Sequence, residues 1–206
     1  MKRRAGRILF ATAVAAMTLL APAGTANAGL LSQSAGTCPS YPLSQPFTKW
    51  LDPMRYTLAP GGAFESASGL TFTGGAKIVS GNEPNYLNSK TDKSSVLIPR
   101  GGSVTTGPVC VGLDKPTIRF FAKRPSFALL PLLTVEGVFT TKAGTTASLP
   151  MVGVPLAGNS WSLQLPFITT GAVLELGDTT MMRFRIRAVS GDWQVDDLFV
   201  DPWRRF

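Results

Sequence analysis

Two adjacent acids, Asp196 and Asp197, lie in the last strand predicted from the sequence, at the point where its side-chain pattern breaks. Trp193 and Leu198 are both large and apolar, but their odd spacing places them on opposite faces of a regular strand. This slip predicts a β-bulge at the two aspartates, and bulges often direct side chains toward sites. Carboxylates gathered from distant chain segments suit calcium, which takes six to eight oxygen ligands. The alternative is that both acids cap the bulge or pair with arginine.

The strand before this one carries a row of cations. Arg183, Arg185 and Arg187 alternate with apolar residues over positions 182–188, which is the period of a strand with one buried and one solvated face. The cationic face is a candidate binding site for an acidic polysaccharide or for phosphate groups. The alternative is a solvated face that is balanced by cross-strand acids such as Glu136.

Catalytic patterns are weak in this chain. Histidine is absent, which removes the usual general base of serine and cysteine hydrolases. Glu65 with either Glu136 or Asp197 would supply the two carboxylates that a glycosidase needs, but nothing in the spacing selects one pair. No nucleophile elbow and no H-E-x-x-H motif occurs. The sequence therefore predicts a protein that is not an enzyme, with a hydrolase using paired carboxylates as the alternative.

The first 28 residues have the pattern of a secretory signal peptide. A basic head precedes the apolar run Ile8–Leu20, and Ala26-Asn27-Ala28 predicts cleavage after Ala28. The run is too short to span a bilayer, so we expect a secreted protein with no membrane span; an uncleaved anchor is the alternative. Cleavage lowers the net charge from +8 to +4, because 16 basic and 12 acidic residues remain. That charge does not indicate a nucleic-acid partner.

The two cysteines, Cys38 and Cys110, are expected to form a disulfide in an oxidising compartment. The alternative is a metal site, but two thiols without histidine are a poor zinc cage. The bond would attach the segment that follows Cys38 to a predicted strand over 104–111.

Residues 29–59 are predicted to be a flexible lead, up to Thr37, followed by a proline-rich arm that packs on the domain. In the arm, Phe47, Trp50 and Leu51 have the spacing of one helical face. Residues 60–206 contain short runs rich in β-branched residues, separated by Gly, Pro, Asn and Asp. This pattern predicts one all-β domain, an antiparallel β-sandwich of the jelly-roll type.

Five segments together resemble galactose-binding-like jelly-roll domains, which include many carbohydrate-binding modules. They also resemble a group of uncharacterised secreted bacterial proteins. The segments are Phe64-Glu65, Pro116–Phe121, Trp161–Leu165, Met182–Ile186 and Gly191–Val200. The resemblance implies carbohydrate binding, and a structural calcium held at the positions matching Glu65 and Asp196, with Asp197 as a further ligand. The aromatic sugar platform of those modules has no counterpart that we can locate, and the arm before Pro60 is additional.

The function predicted from these observations is that of a secreted, non-catalytic β-sandwich that binds carbohydrate or another extracellular polymer. The alternative within the same fold is a structural or surface-interaction protein without a small ligand. The apolar run through Leu129, Leu130, Leu132 and Leu133 either lines a lipid pocket or leads into a buried strand. The residues predict neither the polymer nor the oligomeric state.

Overall fold

Strands are the main elements of the protein, and they range from two to twelve residues in length. The structure is a computed structural model that describes residues 31–112, 117–155, 158–168 and 179–201, so the predicted signal peptide lies outside the described residues. The strands are β1 Thr57–Leu58, β2 Thr71–Thr73, β3 Lys77–Ser80, β4 Ser94–Ile98, β5 Ser103–Thr105, β6 Val109–Gly112, β7 Thr117–Lys123, β8 Leu132–Thr140, β9 Thr146–Pro155, β10 Ser162–Leu163, β11 Phe167–Ile168, β12 Thr179–Ser190 and β13 Trp193–Val200.

These strands form two antiparallel sheets. The arm-side sheet has the order β10-β7-β13-β4-β3, with β1 paired to β13 and β11 paired to β7. The arginine-side sheet has the order β2-β5-β12-β8-β9, with β6 paired to β12. The prediction of an all-β antiparallel sandwich of the jelly-roll type is confirmed. Among the described residues, no helix has the length and apolar character needed to cross a membrane.

The core lies between the two sheets and is built by strict alternation. In β12, Met182, Phe184 and Ile186 are fully buried, whereas Arg183 and Arg187 are exposed. Burying an apolar side chain of this size contributes roughly 1.5–3 kcal/mol, so the alternation selects which face of β12 meets the other sheet. The same core cluster contains the large buried side chains of Trp193, Phe120, Ile118 and Leu198 from the arm-side sheet and Leu133 from the arginine-side sheet.

Strand β13 has the bulge that its sequence predicts. Its pairing with β7 shifts register between Asp196 and Phe199, and Asp197 has a left-handed φ of 49°. The extra residue returns Leu198 to the core beside Trp193. The break in the side-chain pattern therefore corresponds to an irregularity of the strand. The bulge places two carboxylates inside the protein.

The proline-rich segment 38–56, here called the arm, packs on the outer face of the arm-side sheet. Phe47 and Tyr56 are buried with Phe199 of β13 in a second apolar cluster, and the rings meet edge to face. Arg119 Nη1 of β7 lies 2.8 Å from Asp52 Oδ2 of the arm. The arm thus covers a sheet face that would otherwise be exposed.

Two details of residues 29–59 differ from the sequence-based expectation. The lead is hydrogen-bonded to the ends of two interior strands of the arginine-side sheet, with Gln33 N–H donating to Thr140 O of β8 and Ala35 N–H donating to Thr179 O of β12. The predicted helical face is a 3₁₀ turn over Thr48–Trp50. The tighter turn rotates Leu51 outward, where it is 95% exposed.

The disulfide between Cys38 and Cys110 is confirmed, with 5.6 Å between the two Cα atoms. It joins the start of the arm to β6. The single strand predicted over 104–111 is divided into β5 and β6, because Gly107 turns to donate its N–H to Pro60 O.

Candidate functional site

Buried carboxylates gather where the loop 81–92 crosses β13. Asp196, Asp197 and Glu83 have no exposed surface, and Asp92 is 8% exposed. Asp196 Oδ2 accepts a hydrogen bond of 2.8 Å from the backbone N–H of Glu83, and Asp197 Oδ2 accepts one of 3.3 Å from Asn88 N–H. The loop is therefore attached to the bulge through these two aspartates. We call the four acids the buried acid cluster.

Neutral donors supply the hydrogen bonds of this cluster. Glu83 accepts from the N–H groups of Asn85 and Leu87 at 2.6 and 2.7 Å, and Asp196 Oδ1 accepts from Asp197 N–H at 2.9 Å. None of the ion pairs among the described residues includes these acids. The arginine pairing considered for the two aspartates is therefore not formed there, whereas the bulge-capping role is.

Burial makes ionisation of the two aspartates costly. Desolvation, followed by the charge of neighbouring Asp197, raises the pKa of Asp196 to about 9. Desolvation, followed by the charge of Glu83, raises the pKa of Asp197 to about 7. Because a buried charge needs a compensating partner, the cluster must bind protons or a cation near neutral pH.

Two oxygens next to this cluster lack partners. Asp197 Oδ1 and Asn82 Oδ1 are buried and accept no hydrogen bond from any described residue, although buried acceptors are generally satisfied. Carboxylate and amide oxygens are the ligands that calcium takes. Within the described residues, however, no three Asp, Glu or Cys side chains converge on a metal position. An ion here would therefore need amide and backbone carbonyl oxygens as well.

Glu65, the third predicted ligand, lies at the edge of the cluster. It is exposed, and its Oε1 accepts from the N–H groups of Lys93 and Ser94 at 2.9 and 2.7 Å. Its charge contributes to the raised pKa of Asp197, so the two acids occupy the same region. Sequence reasoning missed Glu83 and Asp92. Their signal is the concentration of acids and asparagines in the loop 81–92.

The predicted arginine row lies on the outer face of the arginine-side sheet. Arg185 Nη1 is 3.1 Å from Glu136 Oε2 on β8, as the balanced-face interpretation expects. Arg183 and Arg187 are exposed and form no ion pair with a residue that the structure describes. Among the described residues, the face therefore has one paired guanidinium group with an exposed one on either side of it.

Hydroxyl side chains flank the arginines in the neighbouring strands. Arg187 lies in register with Ser103 of β5 and Thr134 of β8, and Arg185 lies in register with Thr105. Since residues in register share a sheet face, the arginines stand in a row bordered by hydroxyl groups. We call this surface the arginine face.

Comparison with known proteins gives structural matches only. The sequence matches no protein-family model, and none of the curated proteins matches it. A family 22 carbohydrate-binding module of Clostridium thermocellum Xyn10B has 13% identity over 68% of this chain and 91% of that one, with a TM-score of 0.46. The CBM22-1 xylan-binding domain of Paenibacillus barcinonensis Xyn10C has 12% identity over 69% and 94%, with a TM-score of 0.47.

The CBM22-1–GH10 part of C. thermocellum xylanase 10B, complexed with xylohexaose, has 10% identity over 73% of this chain and 29% of that one, with a TM-score of 0.48. These structural neighbours are thus of the class that the sequence resembles. Their identities and TM-scores are below the level at which a likeness bears on function, so function has to be inferred from the geometry of this chain.

Proposed function

We propose that this protein is a secreted, non-catalytic β-sandwich that binds an acidic extracellular polysaccharide on the arginine face. The observation that carries the proposal is the row of three arginines on the outer face of this sheet, where Arg185 alone pairs with a carboxylate among the residues that the structure describes. The arm covers the other sheet with Phe47 and Tyr56. The two outer faces are therefore unequal, and one of them presents cations to solvent.

The spacing of the row suits an extended anionic polymer. Alternate residues of a strand are about 7 Å apart, so the three arginines span about 14 Å along β12. Arginine binds carboxylates and sulfates through paired N–H donors, which fixes orientation as well as charge. The neighbouring hydroxyls of Thr105 and Thr134 are suited to hydrogen bonds with sugar hydroxyls, whereas the hydroxyl of Ser103 is buried and bonded to Thr73.

Acidic sugars are favoured over neutral ones by the composition of this face. Sugar rings without charge are usually held on apolar aromatic surfaces with a few placed polar groups. The residues in register with the three arginines on β5 and β8 are Ser, Thr, Val and Glu. Charge attraction therefore has to supply the affinity.

A non-catalytic role agrees with where the acids lie. Glu136 is on the arginine face beside Arg185, whereas Asp197 is buried in the other sheet. Glu65 already accepts two backbone hydrogen bonds. The carboxylates considered as a hydrolytic pair therefore have other partners or are inaccessible to a polymer.

We further propose that calcium stabilises the fold at the buried acid cluster. Asp196 and Asp197 would be ligands, with Glu65 at the rim, and Asn82 Oδ1 has the chemistry to join them. The support is the pair of buried oxygens without hydrogen bonds, together with acids that no cation of the described chain neutralises. Such an ion would tie the loop 81–92 to β13 and have no part in polymer binding.

Retention on immobilised polysaccharides tests the polymer proposal. The wild-type protein should be retained on alginate or heparin at low salt and released as screening increases, but it should pass through neutral xylan. The triple variant Arg183→Gln, Arg185→Gln, Arg187→Gln should lose retention while keeping its melting temperature, since exposed charges contribute little to stability.

A charge-matched control separates this face from the net charge of the protein. Lys77, Lys90 and Lys93 are exposed outside the arginine face, so replacing all three with Gln removes the same charge. The control should still be retained. Equal losses in the two triple variants, or no retention of the wild type on any acidic polymer, would refute the arginine face as the binding site.

A further inference from the structure

One end of the sandwich exposes a cluster of large apolar side chains. Phe127, Leu129 and Leu130 are 81, 87 and 83% exposed in the connection between β7 and β8. Val189, near the end of β12, is 44% exposed. Scattered apolar residues are ordinary on a surface, but three from one short loop form a patch that indicates an interaction. We call this loop, residues 124–131, the apolar tip.

The tip is held in place by specific contacts. Ser190 Oγ donates a hydrogen bond to Leu130 O, and Arg124 N–H donates to Gly158 O at 2.9 Å. A Cβ atom added to Gly191 would lie 2.8 Å from Ala128 Cβ, and Gly191 has a φ of +72°. Ala128 therefore packs closely on the β12–β13 turn. These contacts fix the loop so that its largest side chains face outward.

Cations lie at one edge of the tip. A shallow cleft of about 480 Å³ beside it is lined by Arg100 and Asp192 among others. Arg100 is exposed, and Lys123 and Arg124 lead into the loop from β7. The carboxylate of Asp192 accepts hydrogen bonds from Arg100 N–H and the Ser126 hydroxyl. Positive charge therefore exceeds negative charge at this edge of the patch.

Ser32 and Asp201, which lie near the two limits of the described residues, are at the end of the sandwich opposite the apolar tip. Ser32 pairs with Thr141, just after the end of β8, whereas the tip precedes the start of β8. Asp201 N–H bonds to Thr117 O at the start of β7, whereas the tip follows the end of β7. The length of β8 separates the two ends by about 27 Å, so the tip is clear of Ser32 and Asp201.

We propose that the apolar tip inserts into an anionic lipid surface. Its three large side chains offer an apolar surface area on the order of 500 Å². A stable protein interface buries roughly 800 Å² of surface on each partner, which is more than the tip provides. Insertion into the boundary between headgroups and acyl chains requires only a few apolar side chains with cations around them. This docking surface lies at one end of the sandwich and uses none of the three arginines of the arginine face.

Vesicle co-sedimentation with the exported protein, its N terminus determined by mass, tests this proposal. The wild type should bind phosphatidylglycerol–phosphatidylcholine vesicles and bind phosphatidylcholine alone much more weakly. The variant Leu129→Ser, Leu130→Ser should bind about 100-fold more weakly, since each leucine removed from lipid costs roughly tenfold or more in partitioning. Arg100→Gln should weaken binding to the anionic vesicles only.

A matched control uses the other exposed leucines. Leu51 and Leu165 are 95 and 73% exposed outside the tip, so Leu51→Ser, Leu165→Ser removes the same apolar groups. This control should bind vesicles like the wild type. Absence of binding to anionic vesicles, equal binding to neutral ones, or equal losses in both double variants would overturn the proposal. A dimer that only the tip variant disperses, without vesicle binding, would assign the tip to a second copy of the chain instead.

Discussion

The buried acid cluster makes a strong prediction about pH and calcium. In metal-free protein, the pKa values of Asp196 and Asp197 are raised to about 9 and about 7. Above about pH 4, the unfolded chain has released the protons of these two carboxyls, whereas the folded chain still holds them. Stability must therefore rise as the pH falls from about 7 toward 5, because the folded state binds more protons in this range. Acid should stabilise the protein here.

The size of the effect follows from the linkage relation. Each aspartate changes the free energy of unfolding by up to about 1.4 kcal/mol per pH unit, within a window between its pKa in the unfolded chain and its pKa in the folded chain. Both windows overlap between about pH 5 and 7, so the combined slope is at most about 3 kcal/mol per unit. In a domain of this size, 1 kcal/mol shifts the melting temperature by about 2–4 °C. The melting temperature in chelator should thus rise by several degrees per unit of acidification.

Calcium should oppose this dependence. An ion bound only by the folded state adds about 2.7 kcal/mol when its concentration is 100 times the dissociation constant, and it binds best when the carboxyls are deprotonated. Calcium should therefore raise the melting temperature more at pH 8 than at pH 5. Differential scanning calorimetry at both pH values, with calcium and with chelator, measures each effect.

Asp197→Asn separates this interpretation from general charge effects. Asn tolerates the left-handed backbone of position 197, and the substitution removes one buried charge without changing the shape of the side chain. The variant should lose most of the calcium response and part of the pH slope, whereas Glu136→Gln on the arginine face should keep both. A melting temperature that does not change with pH in chelator would refute the electrostatic reasoning. A calcium response that survives in Asp197→Asn would exclude the proposed ligand.

Three further predictions concern stability. Replacing Cys38 and Cys110 with Ala should cost about 4 kcal/mol, because the disulfide spans 72 residues and restricts the unfolded chain; chemical denaturation measures this loss. Asp52→Asn should cost roughly 3–5 kcal/mol, since Arg119 is 6% exposed and would lose its carboxylate. Burial alone would raise the pKa of Asp52, but hydrogen bonds and the Arg119 guanidinium lower it overall. The stability that ionised Asp52 contributes is therefore lost only when the pH falls below about 4. Phe184→Ala should cost about 3–5 kcal/mol, because its side chain is fully buried between the sheets.

The fold was predictable where local side-chain pattern and burial coincide. The alternation of β12 sets which face is buried, and the odd spacing of Trp193 and Leu198 requires a bulge once both enter the core. The disulfide followed from the presence of only two cysteines. Each of these predictions depends on neighbours in the chain or on a pairing without competitors.

The candidate sites were predictable only in part, because they depend on contacts between distant segments. The bond from Glu83 N–H to Asp196 joins residues 113 positions apart, and nothing local to Glu83 indicates that it is buried. The arginine row was visible as alternation. The pairing of Arg185 with Glu136 depends on the register between β12 and β8, which the sequence does not specify. Leu51 turned outward because a 3₁₀ turn replaced the expected helical one.

The central claim is that an acidic polysaccharide binds the arginine face, and side-chain NMR tests it most directly. Titration of isotope-labelled protein with alginate oligosaccharides should shift the Nε–H signals of Arg183, Arg185 and Arg187 together and to saturation, while the Arg100 signal at the other surface stays in place. Saturable shifts confined to the three β12 arginines are the predicted result. Shifts at Arg100 alone, or none at any arginine while the oligosaccharide binds, would contradict the claim.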